Sequence, residues 1–281
     1  MKLIKHIMSF LIRSNGFIAL CAMAFVVTGY LIYGYTTLNA QLLAVVAIVG
    51  SATFLIYNLS IFLIELRTKR TTASTRVQWF KRWNYVMYPL LVSALLILLV
   101  SFFFVPFRIL VFFAHLGIVS LLYNVPDQYL HQHYRSIRSI PLIKVFLIAY
   151  VWAAIGSWLP ALMLPVDLAV AARLFTAQLL FITAITLPFD IRDYWKDEQR
   201  DLLTIPGLIG ISNTRWLSIA LMVLHIVLIG LWFTATVGAA LLLGAFTVLL
   251  LLKAHDKRPY WYYTGLIDGL IILQCLLLLL L

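Results

Sequence analysis

The chain has 281 residues, of which 64% are hydrophobic and only 11% are charged. Because charged residues make up about a quarter of an ordinary soluble domain, this composition excludes one and indicates a polytopic membrane protein. The net charge of +11 does not predict a nucleic-acid partner, since the cations lie in short connections between apolar segments, as the positive-inside rule describes. The two cysteines, Cys21 and Cys275, fall within apolar segments and show no metal-ligand spacing.

Nine apolar segments are long enough to cross a bilayer. A short, basic, amphipathic segment precedes the first of them and shows no signal-peptide cleavage pattern, so we expect that first helix to be retained. The predicted spans are about 15–35, 41–66, 84–104, 107–126, 142–162, 166–189, 213–235, 238–253 and 263–281. We therefore expect an all-α fold, a single domain of nine transmembrane helices over residues 1–281.

Lys and Arg are distributed unevenly between the two sides of these spans. With the N-terminus in the cytosol, 19 of the 21 fall on the cytosolic side, which leaves only Arg108 and Arg173 opposite. This asymmetry predicts a cytosolic N-terminus in a multi-pass protein of a bacterial inner membrane. The longer connections also lie on that side, so we expect a water-exposed functional face in the cytosol.

The segment "FDIRDYWKDEQRD" (189–201) holds half of the acidic residues of the chain. Asp190, Asp193 and Asp197 are spaced three and four apart, which places them on one face of a helix. Stacked carboxylates repel one another, so a bound cation is expected, and hard oxygen ligands favour Mg²⁺. In the alternative interpretation, cations of the same segment neutralise the acids in a solvated loop, namely Arg192, Lys196 and Arg200.

The segment "DIRDYWKDEQRDLLTIPGLIG" (190–210) resembles the second aspartate-rich motif of the UbiA-type intramembrane prenyltransferases and the loop that follows it. That pattern, D-x-x-D-x-x-x-D followed by Thr-Leu-Pro and a Gly, is matched at Asp190, Asp193, Asp197, Thr204, Pro206 and Gly210, with Ile205 in place of the Leu. Residues 121–153 are similar to the family's connection between its fourth and fifth helices. The resemblance implies a bundle of nine helices with its acidic motifs facing the cytosol.

The first aspartate-rich motif of that family, N-x-x-x-D-x-x-x-D, is only partly present. The segment "YNLSIFLIELRTKR" (57–70) keeps Asn58 but has Phe62 and Leu66 at the two Asp positions. Glu65 follows Asn58 by seven residues, lies on the same helical face and is long enough to reach a metal ion. In the alternative interpretation, Glu65 pairs with Lys69 one turn later, and one of the family's two metal clusters is absent.

The resemblance implies Mg²⁺-dependent transfer of a prenyl group from a prenyl diphosphate to a lipophilic, aromatic acceptor within the membrane. Asp190, Asp193 and Asp197 are then the catalytic residues and hold one Mg²⁺, while Asn58 and Glu65 are candidates for a second. The residues expected to bind the diphosphate are Asn58, Arg67, Lys69, Arg135, Arg138, Lys144, Arg192 and Lys196. Each of these cations could instead be a positive-inside anchor at the membrane surface.

A second function remains open from the sequence alone. The chain could be a non-catalytic UbiA-like protein that binds an isoprenoid or a lipid headgroup, or that acts as a membrane scaffold. The degenerate first motif favours this alternative, because an incomplete metal set would weaken diphosphate activation. Partners expected under the enzymatic hypothesis are a prenyl diphosphate, a lipophilic acceptor and membrane lipids, with no nucleic acid.

Overall fold

The structure, a computed structural model, describes residues 2–67, 75–124, 143–199 and 202–281, except for the side chains of residues 2–4, 64–67 and 122–124. Within these ranges the chain forms helices and no strands, so the predicted all-α fold is confirmed. The helices are α1 (Lys2–Arg13), α2 (Gly16–Ile32), α3 (Ala40–Arg67), α4 (Thr75–Arg82), α5 (Asn84–Ser101), α6 (Phe107–Asn124), α7 (Ile143–Gly156), α8 (Trp158–Met163), α9 (Leu168–Glu198), α10 (Ile205–Ile209), α11 (Ile211–Trp232), α12 (Val237–Leu252) and α13 (Asp268–Leu280).

Each predicted span coincides with a helix, and seven helical segments of the described chain are long and apolar enough to cross a membrane. The number becomes eight if α1 and α2, which meet at 83°, are counted as one broken span. A further apolar helix over Phe107–Leu121 is shorter. The protein is therefore an integral multi-pass membrane protein, whereas the count of nine spans and the cytosolic N-terminus stay predictions.

Contacts among the residues divide the chain into two compact units. Unit 1 comprises Met1–Met23 and Leu38–Tyr134, and unit 2 comprises Ala24–Thr37 and Arg135–Leu281. The core of unit 1 lies where α4 and α5 pack against α3, with buried Ile61, Phe80 and Met87 at its centre. A single domain over residues 1–281 stays a prediction.

Unit 2 is organised around α9, which packs against α7 and α11. Its core contains Leu174 and Ala177 of α9 together with Ile229 of α11. The chain also approaches itself closely where small residues allow it, because a Cβ atom at Gly29 would collide with the backbone carbonyl of Gly156. Between helices in lipid the hydrophobic effect contributes little, and close packing at small residues stabilises their association instead. The close approach joins α2 to α7, one of the two helices that pack against α9.

Candidate functional site

The acidic residues lie at the C-terminal end of α9, which is longer than the predicted span of 166–189. With 31 residues, α9 is about 46 Å long, whereas a bilayer core is about 30 Å thick. The helix therefore continues through Asp190, Asp193 and Asp197 and keeps these residues on one face. The Asp190 side chain is only 3% exposed, and those of Asp193 and Asp197 are 21% and 15% exposed. The three carboxylates are shielded rather than spread into solvent.

Lys144, near the start of α7, contacts two of these carboxylates. Its Nζ lies 2.7 Å from Oδ1 of Asp190 and 3.9 Å from Oδ2 of Asp197. One cation is thus shared by acids that are two turns apart on α9, because α7 packs directly against that helix. Sequence reasoning placed Lys144 near the diphosphate but did not identify these two partners. The pair of carboxylates accommodates one positive charge between them.

Asp193 is neutralised by two other cations of the same helix. The Arg192 guanidinium donates through Nε to Oδ1 of Asp193 at 3.1 Å and through its terminal nitrogen to Oδ2 at 2.6 Å. Lys196, which is 76% exposed, places its Nζ 3.8 Å from Oδ1 of the same carboxylate. The arrangement agrees in part with the alternative interpretation of the sequence, in which cations of the same segment neutralise the acids, because Arg192 and Lys196 do pair with Asp193. That Arg192 and Lys196 contact a diphosphate stays a prediction.

Arg192 is also surrounded by aromatic rings that the sequence analysis did not select. Its guanidinium carbon lies 5.0 Å from the ring centroid of Phe189, 5.4 Å from that of Tyr260 and 5.6 Å from that of Tyr263. Tyr263 belongs to a π-helical segment, Tyr262–Ile267, that leads into α13. π-Helical segments are frequent at functional sites. The cluster "RPYWYYTG" directly after α12 was the signal in the sequence that could have identified these rings.

A second contact joins α9 to the connection between α12 and α13. The Trp195 indole Nε1 donates to Oδ2 of Asp256 at 2.8 Å. The hydroxyl of Tyr263 donates to the carbonyl oxygen of His255 at 2.7 Å, which fixes the same connection from its other end. The α12–α13 connection is therefore held against the acidic end of α9.

The remaining motif residues shape the backbone rather than supply ligands. Thr204 caps α10, since its Oγ1 accepts a hydrogen bond from the backbone N–H of Gly207 at 3.4 Å. Pro206 occupies the first turn, where a missing N–H costs nothing. Gly210 has φ of 83°, a left-handed conformation that favours glycine, and it separates α10 from α11. The match to the family's Thr, Pro and Gly positions thus has a local structural cause.

Asn58 of α3 lies within unit 1 in a hydrogen-bond network of amides and backbone carbonyls that ends at Arg76. Its buried Nδ2 donates to the carbonyl oxygens of Ser14 at 3.0 Å and Phe54 at 2.8 Å. Its Oδ1 accepts from Nδ2 of Asn15 at 3.1 Å, and Oδ1 of Asn15 in turn accepts from Arg76. Neither Asp position of the first motif holds an acid here, and Phe62 packs its ring edge against Tyr88. Sequence reasoning missed Asn15 and Arg76.

Several predicted site residues lie outside the described parts of the structure. These are Lys69, Arg135 and Arg138, together with the side chains of Glu65, Leu66 and Arg67. Among the described residues, no three His, Cys, Asp or Glu side chains are arranged as a metal-binding group. Asp190 and Asp197 nevertheless converge on one cation, which is a set that water and phosphate oxygens can complete for Mg²⁺. The described residues thus fit a magnesium ion that is shared with a ligand.

Comparison with known proteins gives likeness in structure but not in sequence. No protein-family model matches the chain, and no curated protein matches it. A UbiA homologue from Archaeoglobus fulgidus bound to GPP and Mg²⁺ superposes with a TM-score of 0.64 at 11% identity, covering 97% of this chain and 99% of that one. The apo structure of a UbiA homologue from Aeropyrum pernix K1 gives 0.61 at 14% identity, with 93% and 97% covered.

A structure described as digeranylgeranylglyceryl phosphate synthase gives a TM-score of 0.58 at 15% identity, with 99% of this chain and 98% of that chain covered. The helices and the charged end of α9 define a polytopic, all-helical membrane protein. Its fold is the UbiA-type fold, and the resemblance noted in the motifs is confirmed at that level.

Proposed function

We propose that the protein binds a prenyl diphosphate together with Mg²⁺ at the end of α9 and transfers the prenyl group to a lipophilic acceptor in the membrane. The observation that carries this proposal is the shielded row of Asp190, Asp193 and Asp197 on a helix of a UbiA-type fold. Carboxylates at a membrane edge cost free energy, so binding of a metal ion with its ligand would explain why three of them lie together here. In this structure Lys144, Arg192 and Lys196 pair with the three carboxylates, so a magnesium–diphosphate ligand would bind by exchanging with these ion pairs.

Asp190 and Asp197 are the proposed magnesium ligands, because they share Lys144 in this structure. Mg²⁺ bound there would neutralise the negative charge that develops on the departing diphosphate. Lys144 is the flexible cation of the site, and its ammonium group is placed to donate to a phosphate oxygen as well as to a carboxylate. Arg192 holds Asp193 by both oxygens and so fixes the orientation of that carboxylate.

In the proposed reaction the allylic carbon–oxygen bond breaks and the diphosphate leaves with the electron pair. A nucleophilic atom of the acceptor forms the new bond to the allylic carbon and then loses its proton. The role of the chain is to orient the diphosphate and to keep water from the allylic carbon. Arg67, Lys69, Arg135 and Arg138 are proposed as further diphosphate contacts, on the side of the membrane that the sequence predicts to be cytosolic.

The test is a transfer assay with the purified full-length protein. Labelled prenyl diphosphates of several lengths are incubated with a panel of aromatic acceptors, with and without Mg²⁺. We expect a labelled lipophilic product that depends on Mg²⁺. Absence of both turnover and diphosphate binding in the presence of Mg²⁺ would overturn the proposal.

The second candidate function is binding of an isoprenoid diphosphate without turnover. The apolar residues at positions 62 and 66 favour it, as does the bonding of the Asn58 carboxamide to Asn15, Ser14 and Phe54. Glu65→Gln distinguishes the two functions. If Glu65 and Asn58 contribute a second magnesium site, this variant loses turnover as Asp193→Asn does. If the protein only binds, Glu65→Gln leaves diphosphate affinity unchanged and only the α9 variants lower it.

A further inference from the structure

The N-terminal helix α1 is amphipathic along its described residues. At about 100° per residue, Lys5, His6, Ser9 and Arg13 fall within about 100° of one another, while Ile7 and Leu11 face the opposite way. Lys5 is exposed, and Ile7 remains 50% exposed on the apolar side. A helix that exposes both a basic and an apolar face is matched to a boundary between water and hydrocarbon.

The bend between α1 and α2 is built into the structure. The two helices meet at 83°, and Asn15, at the turn, has φ of 61° in the left-handed region. Its Nδ2 lies within hydrogen-bond distance of the carbonyl oxygen of Tyr57 at 3.2 Å and of Oδ1 of Asn58 at 3.1 Å. Arg76 donates to the other side of the same carboxamide. The direction in which α1 leaves α2 is therefore fixed by α3 and α4.

The length of α1 excludes a transmembrane role for it. The described segment Lys5–Arg13 is about 13 Å long, less than half of the hydrocarbon thickness of about 30 Å. The predicted first span, 15–35, coincides with α2, and a helix at 83° to a membrane-crossing α2 runs along the membrane surface. In that orientation an amphipathic helix places its basic face at the headgroups and its apolar face at the acyl chains.

Aromatic rings of α4 and of Trp83, the residue that follows it, contact α1. The Phe10 ring centroid lies 5.6 Å from that of Trp79 and 5.5 Å from that of Trp83, and the two indoles stack at 6.1 Å. Tryptophan is enriched at the level of lipid headgroups. Helix α4 adds exposed Arg82 and contains no acidic residue. Residues 1–64 likewise contain no Asp or Glu.

We propose that α1 and α4 form a basic shelf, made of Lys5, Arg13 and Arg82 with Phe10, Trp79 and Trp83, that binds anionic phospholipid headgroups of the adjacent leaflet. Helices α1 and α4 themselves contain no Asp or Glu, and a basic surface that lies along the membrane is complementary to a negative leaflet. Each cation near such a surface strengthens lipid binding by about fivefold. The shelf lies in unit 1 and does not depend on the proposed transfer reaction.

The experiment uses the full-length protein in lipid nanodiscs that contain brominated lipids, which quench tryptophan fluorescence on contact. At equal mole fraction, brominated phosphatidylglycerol should quench more strongly than brominated phosphatidylcholine. The excess should disappear in a Trp79→Phe, Trp83→Phe variant, because these are the shelf indoles. It should also weaken as salt screens the charges.

The charge variants are compared in a titration with phosphatidylglycerol. Lys5→Gln and Arg82→Gln should each lower apparent affinity about fivefold. Arg108→Gln is the matched control, since it removes an exposed cation of the same unit that lies outside the shelf, and it should leave the affinity unchanged. Equal quenching by both lipids, or an equal loss in Arg108→Gln, would overturn the proposal. An excess of quenching by phosphatidylglycerol that persists in a Lys5→Gln, Arg13→Gln, Arg82→Gln variant would likewise overturn the proposal, because the shelf cations would then not bind the headgroups.

Discussion

The acidic end of α9 and the Asn58 network of α3 correspond to the two polar motifs of the UbiA-type pattern, yet their polar atoms are used differently. At the end of α9, every acid of the motif contacts a Lys or Arg side chain, and we propose that a charged ligand exchanges with these cations. Around Asn58, amides bond to backbone carbonyls and to one another, and Asn58 itself is fully buried. A residue shared with a family motif can therefore stabilise the fold, as Asn58 does. We propose that the acidic motif of α9 binds the ligand instead.

A substitution of Asp193 is the strongest test of the difference between the acidic end of α9 and the Asn58 network. Asp193→Asn keeps the shape of the side chain but removes the negative charge that holds Arg192. We expect turnover in the transfer assay to fall about 100-fold or more, the usual effect of losing one electrostatic group at a reacting centre. Glu198→Gln is the matched control, because Glu198 lies at the exposed end of the same helix and accepts a hydrogen bond from the Tyr194 hydroxyl at 3.2 Å. Equal losses in both variants would show a general charge effect instead of a site.

Substitution of Lys144 is expected to have the next largest effect, which is a loss of stability. Lys144→Met leaves the buried Asp190 carboxylate without its partner at 2.7 Å. Loss of one partner of a buried pair costs about 3 to 5 kcal/mol, and because Lys144 is 27% exposed we expect about 2 kcal/mol in the free energy of unfolding. Thermal unfolding in detergent measures it.

The control for Lys144 is the double variant. Asp190→Asn in the Lys144→Met background removes the uncompensated charge, so it should recover most of the lost stability. If the double variant is as unstable as the sum of the single ones, the two groups are not coupled. The shared-cation geometry would then not describe the protein in its membrane.

Asn58 tests the other half of the comparison. Asn58→Ala removes three hydrogen bonds, each worth about 0.6 kcal/mol inside a membrane protein, so we expect a loss of about 2 kcal/mol in stability. Asn213→Ala is the matched control, since that exposed amide makes one bond to Ile209, and it should change stability little. A fall in turnover per folded molecule, with a raised requirement for Mg²⁺, would instead support a metal-ligand role for Asn58.

Parts of this architecture were accessible from the sequence because they depend on local physics. Apolar length predicts the spans, and the three-and-four spacing of Asp190, Asp193 and Asp197 predicts their common face. The partners of these acids were not accessible in the same way. Lys144 lies 46 residues before Asp190 along the chain, and only the packing of α7 against α9 brings the two together. Tyr260, which contacts Arg192, is likewise brought to α9 only by the fold of the connection that follows α12.

The hydrogen-bond partners of Asn58 were not predicted for a different reason, and its role as a metal ligand stays a prediction. The motif resemblance directed attention to metal binding at Asn58, whereas the hydrogen bonds to Ser14 and Asn15 depend on the turn between α1 and α2. A left-handed asparagine in a sequence such as "RSNGF" indicates a turn. It does not indicate which buried side chain will form hydrogen bonds with the asparagine at that turn.

The smallest expected effect concerns the connection between α12 and α13. Trp195→Phe keeps an aromatic ring but removes the indole donor to Asp256, a bond between exposed side chains at 2.8 Å. Because such a bond adds only about 0.5 kcal/mol, we expect unfolding to change little and amide hydrogen exchange in residues 253–260 to rise about twofold. Asp256→Asn, which keeps an acceptor oxygen, should preserve the slower exchange. If Trp195→Phe leaves exchange unchanged, the contacts of Arg192 with Tyr260 and Tyr263 are sufficient to hold this connection on α9.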